Sequence, residues 1–159
     1  MKRTLMRRQV LKIVGGMALS PWPRPVTSTQ ADRVQQTVAA LLAATEEGSL
    51  LQIDLEDLRG TLNLCGRSPV SFAVTNHDAD KVLAACRDAL AWMPKHKMKA
   101  AVVVCSGYGK NFQLNHCAEV FRVVRKAVDE STCLVFGVRF APTLVDAMSV
   151  TWLAGAPDS

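Results

Sequence analysis

The chain has 159 residues, 49% of them hydrophobic and 21% charged, enough to bury one substantial core without metal or disulfide support. Its formal charge of +5 would suit a nucleic-acid partner, but six cations, Lys2, Arg3, Arg7, Arg8, Lys12 and Arg24, precede Ala31, where Asp and Glu do not occur. The remainder is close to neutral, and its scattered Arg and Lys read as solvation, which argues against nucleic acid as a partner.

Residues 1–31 read as a basic leader or extension. Arg7-Arg8 followed by Val10-Leu11-Lys12 resembles a twin-arginine export leader, and Thr29-Gln30-Ala31 offers small residues where a leader peptidase reads. The apolar centre from Ile13 to Leu19 is far shorter than the ~20 residues of a membrane span, so no stable transmembrane anchor is expected. The plainer reading is a basic extension ending at Pro21-Trp22-Pro23. Five cysteines, Cys65, Cys86, Cys105, Cys117 and Cys133, form no CxxC pair. Cys105 after AAVVV and Cys133 before LVFGV fall in apolar patterns, so most are expected to be small buried hydrophobes rather than metal ligands. An odd number leaves at least one thiol free in a monomer and points to the cytoplasm. Export through the leader to the periplasm is the alternative.

Residues 32–156 read as one domain. Val34, Val38, Leu41, Leu42 and Thr45 share one face of a helix from Ala31 to Thr45 that closes near Gly48. After it comes GSLLQIDLEDL, Gly48 to Leu58, in which Asp54, Glu56 and Asp57 gather behind Leu50-Leu51. A second helix runs from Asp54 or Leu55 to Leu64 and halts at Gly66. Val70 to Val74 alternates as a strand, and Asn76, Asp78 and Asp80 are helix-start residues before Val82, Leu83, Cys86 and Leu90. Ala100 to Cys105 is a nearly continuous apolar run suited to a central strand, Ser106 to Gln113 a Gly-containing loop, and Leu114 to Val128 a helix. Thr132 to Phe140 and Met148 to Ala154 finish as strands separated by a turn at Pro142. This order predicts an α/β (α+β) two-layer sandwich, a four-stranded sheet layer with helices over one face.

Taken together, the Val34–Thr45 helix, GSLLQIDLEDL, DADKVLAACRDAL, AAVVVCSG, LVFGVRF and VTWLAGAP resemble, in this order, the C-terminal domain of the tubulin-like division protein FtsZ, joined to the end of the long helix that precedes it. In that family the helix runs into a synergy loop of the form Gly-Leu-Ile-Asn-x-Asp-x-x-Asp. Here Gly48, Leu50 and Leu51 match its apolar start, Asp54 and Asp57 its two acids, and Gln52 stands where the family has Asn. In the family the loop of one subunit reaches the nucleotide held by the next. The resemblance therefore implies Gln52, Asp54 and Asp57 as partner-interaction residues, with a tubulin-like GTPase or a second copy of the chain as partner. No Gly-Gly-Gly-Thr-Gly phosphate loop precedes Ala31. Gly107-Tyr108-Gly109-Lys110 fails as a substitute, because Val104 holds the place of the first Walker Gly and Asn111 replaces the magnesium-binding Ser or Thr.

The same carboxylates have an ordinary explanation. Asp54 can cap the helix beginning at Leu55, and Glu56 and Asp57 sit where the unpaired amides of its first turn favour negative charge. No Gly-x-Ser-x-Gly elbow marks a nucleophile, and His77, His96 and His116 read as surface residues. Trp92 and Trp152 read as core or interface anchors. The expectation is a nonenzymatic protein-interaction domain without catalytic residues, metal or cofactor; an exported α/β binding module is the alternative.

Overall fold

A computed structural model of the chain describes residues 7–8, 20–21, 30–67, 69–93 and 98–156. The leader's expected apolar centre, residues 13–19, lies outside them, as do residues 94–97. In chain order the elements are β1 (Ser20–Pro21), α1 (Gln30–Ala43), α2 (Leu55–Leu64), β2 (Val70–Asn76), α3 (Ala79–Ala91), β3 (Ala100–Tyr108), α4 (Leu114–Ala127), β4 (Cys133–Val145) and β5 (Ala147–Gly155). Apart from the two-residue β1, this is the order read from the sequence. No helix among the described residues is long and apolar enough to cross a membrane.

The strands form one mixed sheet in the order β1-β2-β5-β3-β4. β5, the last strand, lies antiparallel between β2 and β3, pairing Val74 with Val150 and Val103 with Trp152. β3 and β4 are parallel, as the α4 crossover between them requires. The four strands expected near residues 70, 102, 135 and 151 thus share a sheet.

Helices cover both faces of that sheet, where the sequence reading placed them over one. The alternation along β3 shows how: Ala101, Val103 and Cys105 join a core with Val82, Cys86 and Leu90 of α3 and Val120 and Val124 of α4. Ala100, Val102 and Val104 point the other way, into a core with Leu41 of α1 and Leu58 and Leu62 of α2. A strand whose successive side chains are all apolar needs cover on both sides.

Three further expectations are corrected. β3 continues to Tyr108, so the connection to α4 is shorter than expected. The turn before the final strand falls at Asp146, with φ of 50°, and not at Pro142, which lies inside β4. Proline is tolerated there because the β3–β4 register jumps from Gly107↔Phe140 to Tyr108↔Val145, leaving Pro142 without a ladder partner on β3. Cys133 opens the edge strand and is exposed, whereas Cys65, Cys86, Cys105 and Cys117 are buried.

Candidate functional site

The acidic loop leaves the end of α1 over an orderly set of bonds. Thr45 N–H donates to Leu42 O at 3.1 Å and Glu46 N–H to Ala43 O at 3.2 Å, closing the helix in tight turns. Gly48 then takes φ of +89°, a left-handed conformation open to glycine and strained for a residue with a side chain. Beyond it Leu51 bridges edge strand β4, donating to and accepting from Val138 at 3.0 Å in both directions. Ile53 N–H donates to Ala44 O at 2.8 Å, and its side chain, 3% exposed, enters the core beneath α1 and α2. The loop is therefore held at two points, by backbone on β4 and by Ile53 in the core.

Asp54 is the N-cap of α2: its Oδ1 accepts from Glu56 N–H at 2.7 Å, and its backbone is extended. The first helical carbonyl bond follows, Leu58 N–H to Asp54 O at 2.9 Å. Leu55 and Leu58 turn inward while Glu56 and Asp57 stay exposed in the first turn, as a helix start with an unsatisfied amide end favours. Gln52 is exposed, but its Nε2 turns back to donate to Thr45 O at 2.9 Å. Gln52, Asp54 and Asp57 thus lie on one anchored, solvent-facing segment, beside the exposed Leu50 and Leu51. At the near end of the loop Glu46 pairs with Arg7 at 2.7 Å.

Two concavities were not read from the sequence. One, of about 270 Å³, lies at the starts of α3 and α4 and is lined by His77, Asp78, Asp80, Lys110, Asn111 and His116 among others. The β4–β5 turn braces it: Asp146 Oδ1 accepts from Lys110 N–H at 3.1 Å, and Asp146 O accepts from Asn111 Nδ2 at 3.0 Å. His116 Nδ1 is shielded from solvent without a hydrogen-bond partner. The other, of about 430 Å³, runs between α3 and α4 and is lined in part by Arg87, Arg122 and Lys126. Among the described residues no group of three or more His, Cys, Asp or Glu could hold a metal ion.

Cys65, Cys86 and Cys105 are placed as packing groups. Burial pushes Cys65 up to about 12, with the nearby Cys133 adding to it, and burial likewise pushes Cys86 up to about 12. Cys105 is held well above the usual thiol range by its hydrogen bond to Cys117 and by burial. A thiol kept protonated is a poor nucleophile. Trp152 is a core anchor at 2% exposure, stacked on Phe72 with ring centroids 4.1 Å apart. Trp92 is 78% exposed at the C-terminus of α3 and anchors nothing in the core.

No family model matches the chain, and no curated protein matches it. Solved structures do. An FtsZ dimer from M. jannaschii superposes with a TM-score of 0.66 at 14% identity, covering 94% of this chain and 43% of that one. CetZ from Methanosaeta thermophila gives 0.56 at 14% identity over 81% and 36%. A CetZ protein of Haloferax volcanii, solved as a GTPγS-bound protofilament, gives 0.52 at 16% identity over 85% and 43%. The chain spans less than half the length of each of these proteins, and at such identities the likeness is one of fold. The fold is α/β with a mixed sheet and helices, like the C-terminal domain of FtsZ.

Proposed function

We propose that the chain is a nonenzymatic protein-interaction domain that docks on a tubulin-like GTPase through its acidic loop and changes that partner's assembly or hydrolysis. The observation that carries this reading is the anchored loop itself: Ile53 and the Leu51–Val138 bridge hold Gln52, Asp54 and Asp57 at the surface on a scaffold like that of FtsZ. Hydrolysis of a nucleoside triphosphate needs a water oriented in line with the γ-phosphate. Carboxylates held on a rigid protrusion can supply that orientation to a nucleotide bound by another subunit. The CetZ protofilament among the structural neighbours supports assembly as the setting. Gln52 would act differently from the other two, since its amide already bonds the end of α1 and helps hold the loop. We place the protein in the cytoplasm, where its five free thiols stay reduced.

The test is titration of the full chain into the tubulin-like GTPase of the same cells, reading GTP turnover and sedimented polymer. Wild type is expected to shift one or both at stoichiometric ratio, and Asp57→Ala to lose the shift while melting within a few degrees of wild type. No change in turnover or polymer at a tenfold excess of wild type defeats the reading.

A further inference from the structure

On the face of the sheet opposite the acidic loop, α3 and α4 leave the groove of about 430 Å³ between them. Its floor is apolar, formed by Leu90 of α3 with Val123 and Ala127 of α4. Its rim is cationic: Arg87 stands on the α3 side, Arg122 and Lys126 on the α4 side. Glu119 is the acid among the lining residues, and it is already paired with Arg122. The helices are 13 and 14 residues long, about 20 Å each at 1.5 Å per residue. The groove's lining covers about one turn of α3, Arg87 to Ala91, and about two turns of α4, Glu119 to Ala127, and an apolar trough between two helices is the shape that receives the apolar stripe of a third.

We propose that this groove docks an acidic amphipathic helix of a partner protein, which it contacts over about two turns, with its apolar stripe on Leu90, Val123 and Ala127 and its carboxylates against Arg87 and Lys126. The charge selects the occupant. A neutral apolar helix would leave Arg87 and Lys126 facing it without counter-charge, and a basic one would be repelled on both rims. The acidic loop of the same molecule lies across the sheet and cannot reach the groove. The proposal goes beyond docking on a GTPase: it uses other residues, and either reading can fail alone.

The experiment uses the full chain and two fluorescein-labelled 14-residue peptides with the same Leu/Ala stripe, one with Glu on its polar face and one with Lys. Fluorescence anisotropy is expected to show saturable binding of the Glu peptide, weakening as salt rises, and at least tenfold weaker binding of the Lys peptide. The double variant Arg87→Glu/Lys126→Glu is expected to reverse that preference, and Asp57→Ala to leave it unchanged. Should the double variant misfold by circular dichroism, Arg87→Gln alone is expected to weaken the Glu peptide several-fold. Equal binding of the two peptides overturns the proposal, as does reversal of charge without effect. Concentration-dependent dimerisation of wild type that Arg87→Glu abolishes would assign the groove to a second copy instead and overturn it too.

Discussion

The loop's anchor can be tested at the point where it meets the edge strand. A Cβ added to Gly137 of β4 would lie 2.8 Å from Ile53 Cδ1, 2.9 Å from Ile53 Cγ1 and 3.1 Å from Ala44 Cβ. In the wild-type background Gly137→Ala therefore overpacks the core, at a cost of about 1–3 kcal/mol. That is partly offset by the about 0.5–1 kcal/mol that alanine gains over glycine inside a strand. The net loss is about 1 kcal/mol, or about 2–4 °C in melting temperature for a chain of this size. Ile53→Ala alone empties the site and costs about 2–5 kcal/mol. With Ile53 truncated, both of the closest atoms are gone, only Ala44 must give by a few tenths of an ångström, and Gly137→Ala should turn stabilising by about 0.5–1 kcal/mol. The same substitution thus changes sign with its background, a coupling of about 1–3 kcal/mol in a double-mutant cycle. Urea unfolding of the four proteins measures it. Additivity within about 0.5 kcal/mol would show that Ile53 does not pack under Gly137, and the anchored loop would go with it.

Asp54→Ala should cost about 0.5–2 kcal/mol while Asp54→Asn, still a competent cap, stays near wild type; equal losses in thermal unfolding would refute the cap. Iodoacetamide at pH 8 should label the exposed Cys133 first, leaving Cys65 and Cys86 unmodified until the chain unfolds, as peptide mass mapping would show. Because Cys65 and Cys86 titrate near 12 when folded and near about 8.5 when unfolded, only the unfolded chain loses these protons in between. Their contribution to stability is therefore complete below pH about 8.5 and is lost as pH rises towards 12; replacing both with Ala should flatten that part of the profile. Trp152→Ala should cost about 3–5 kcal/mol. Trp152→Phe should cost clearly less, since Nε1 is buried without a partner and its removal leaves no acceptor unpaired; near-equal losses would contradict that placement.

The helices were legible because their signals are local. Asp54 followed by two acids and then by Leu58 and Leu62 at helical spacing marks α2 to within a residue, and Asp78 marks the start of α3 in the same way. Strand order was not legible, because insertion of β5 between β2 and β3 depends on pairings across nearly eighty residues, such as Val74 with Val150. The cover on both faces was recorded in AAVVVC, whose neighbouring residues are all apolar; a strand with one bare face would have alternated. Pro142 misled for a physical reason. It breaks a ladder only where a neighbouring strand asks for its N–H, and the register jump beside it removes that demand.

The acidic loop and the basic groove differ in the same respect. Asp54 and Asp57 are three positions apart on one segment, so a sequence shows them together. Arg87 and Arg122 come from two helices thirty-five positions apart, and each reads alone as a solvated charge until α3 and α4 are side by side. The structure also changes how the two explanations of the acidic stretch relate. The capping bond uses Oδ1 of Asp54 and the amide of Glu56, so a cap fixes the direction in which α2 begins and leaves the residue exposed. Capping and docking are then not rivals for Asp54: the first would position the carboxylate that the second presents. They separate at Asp57, whose first-turn charge is worth only about 0.3–1 kcal/mol to the helix. A functional loss at Asp57 larger than that stability change would have to come from a contact outside this chain.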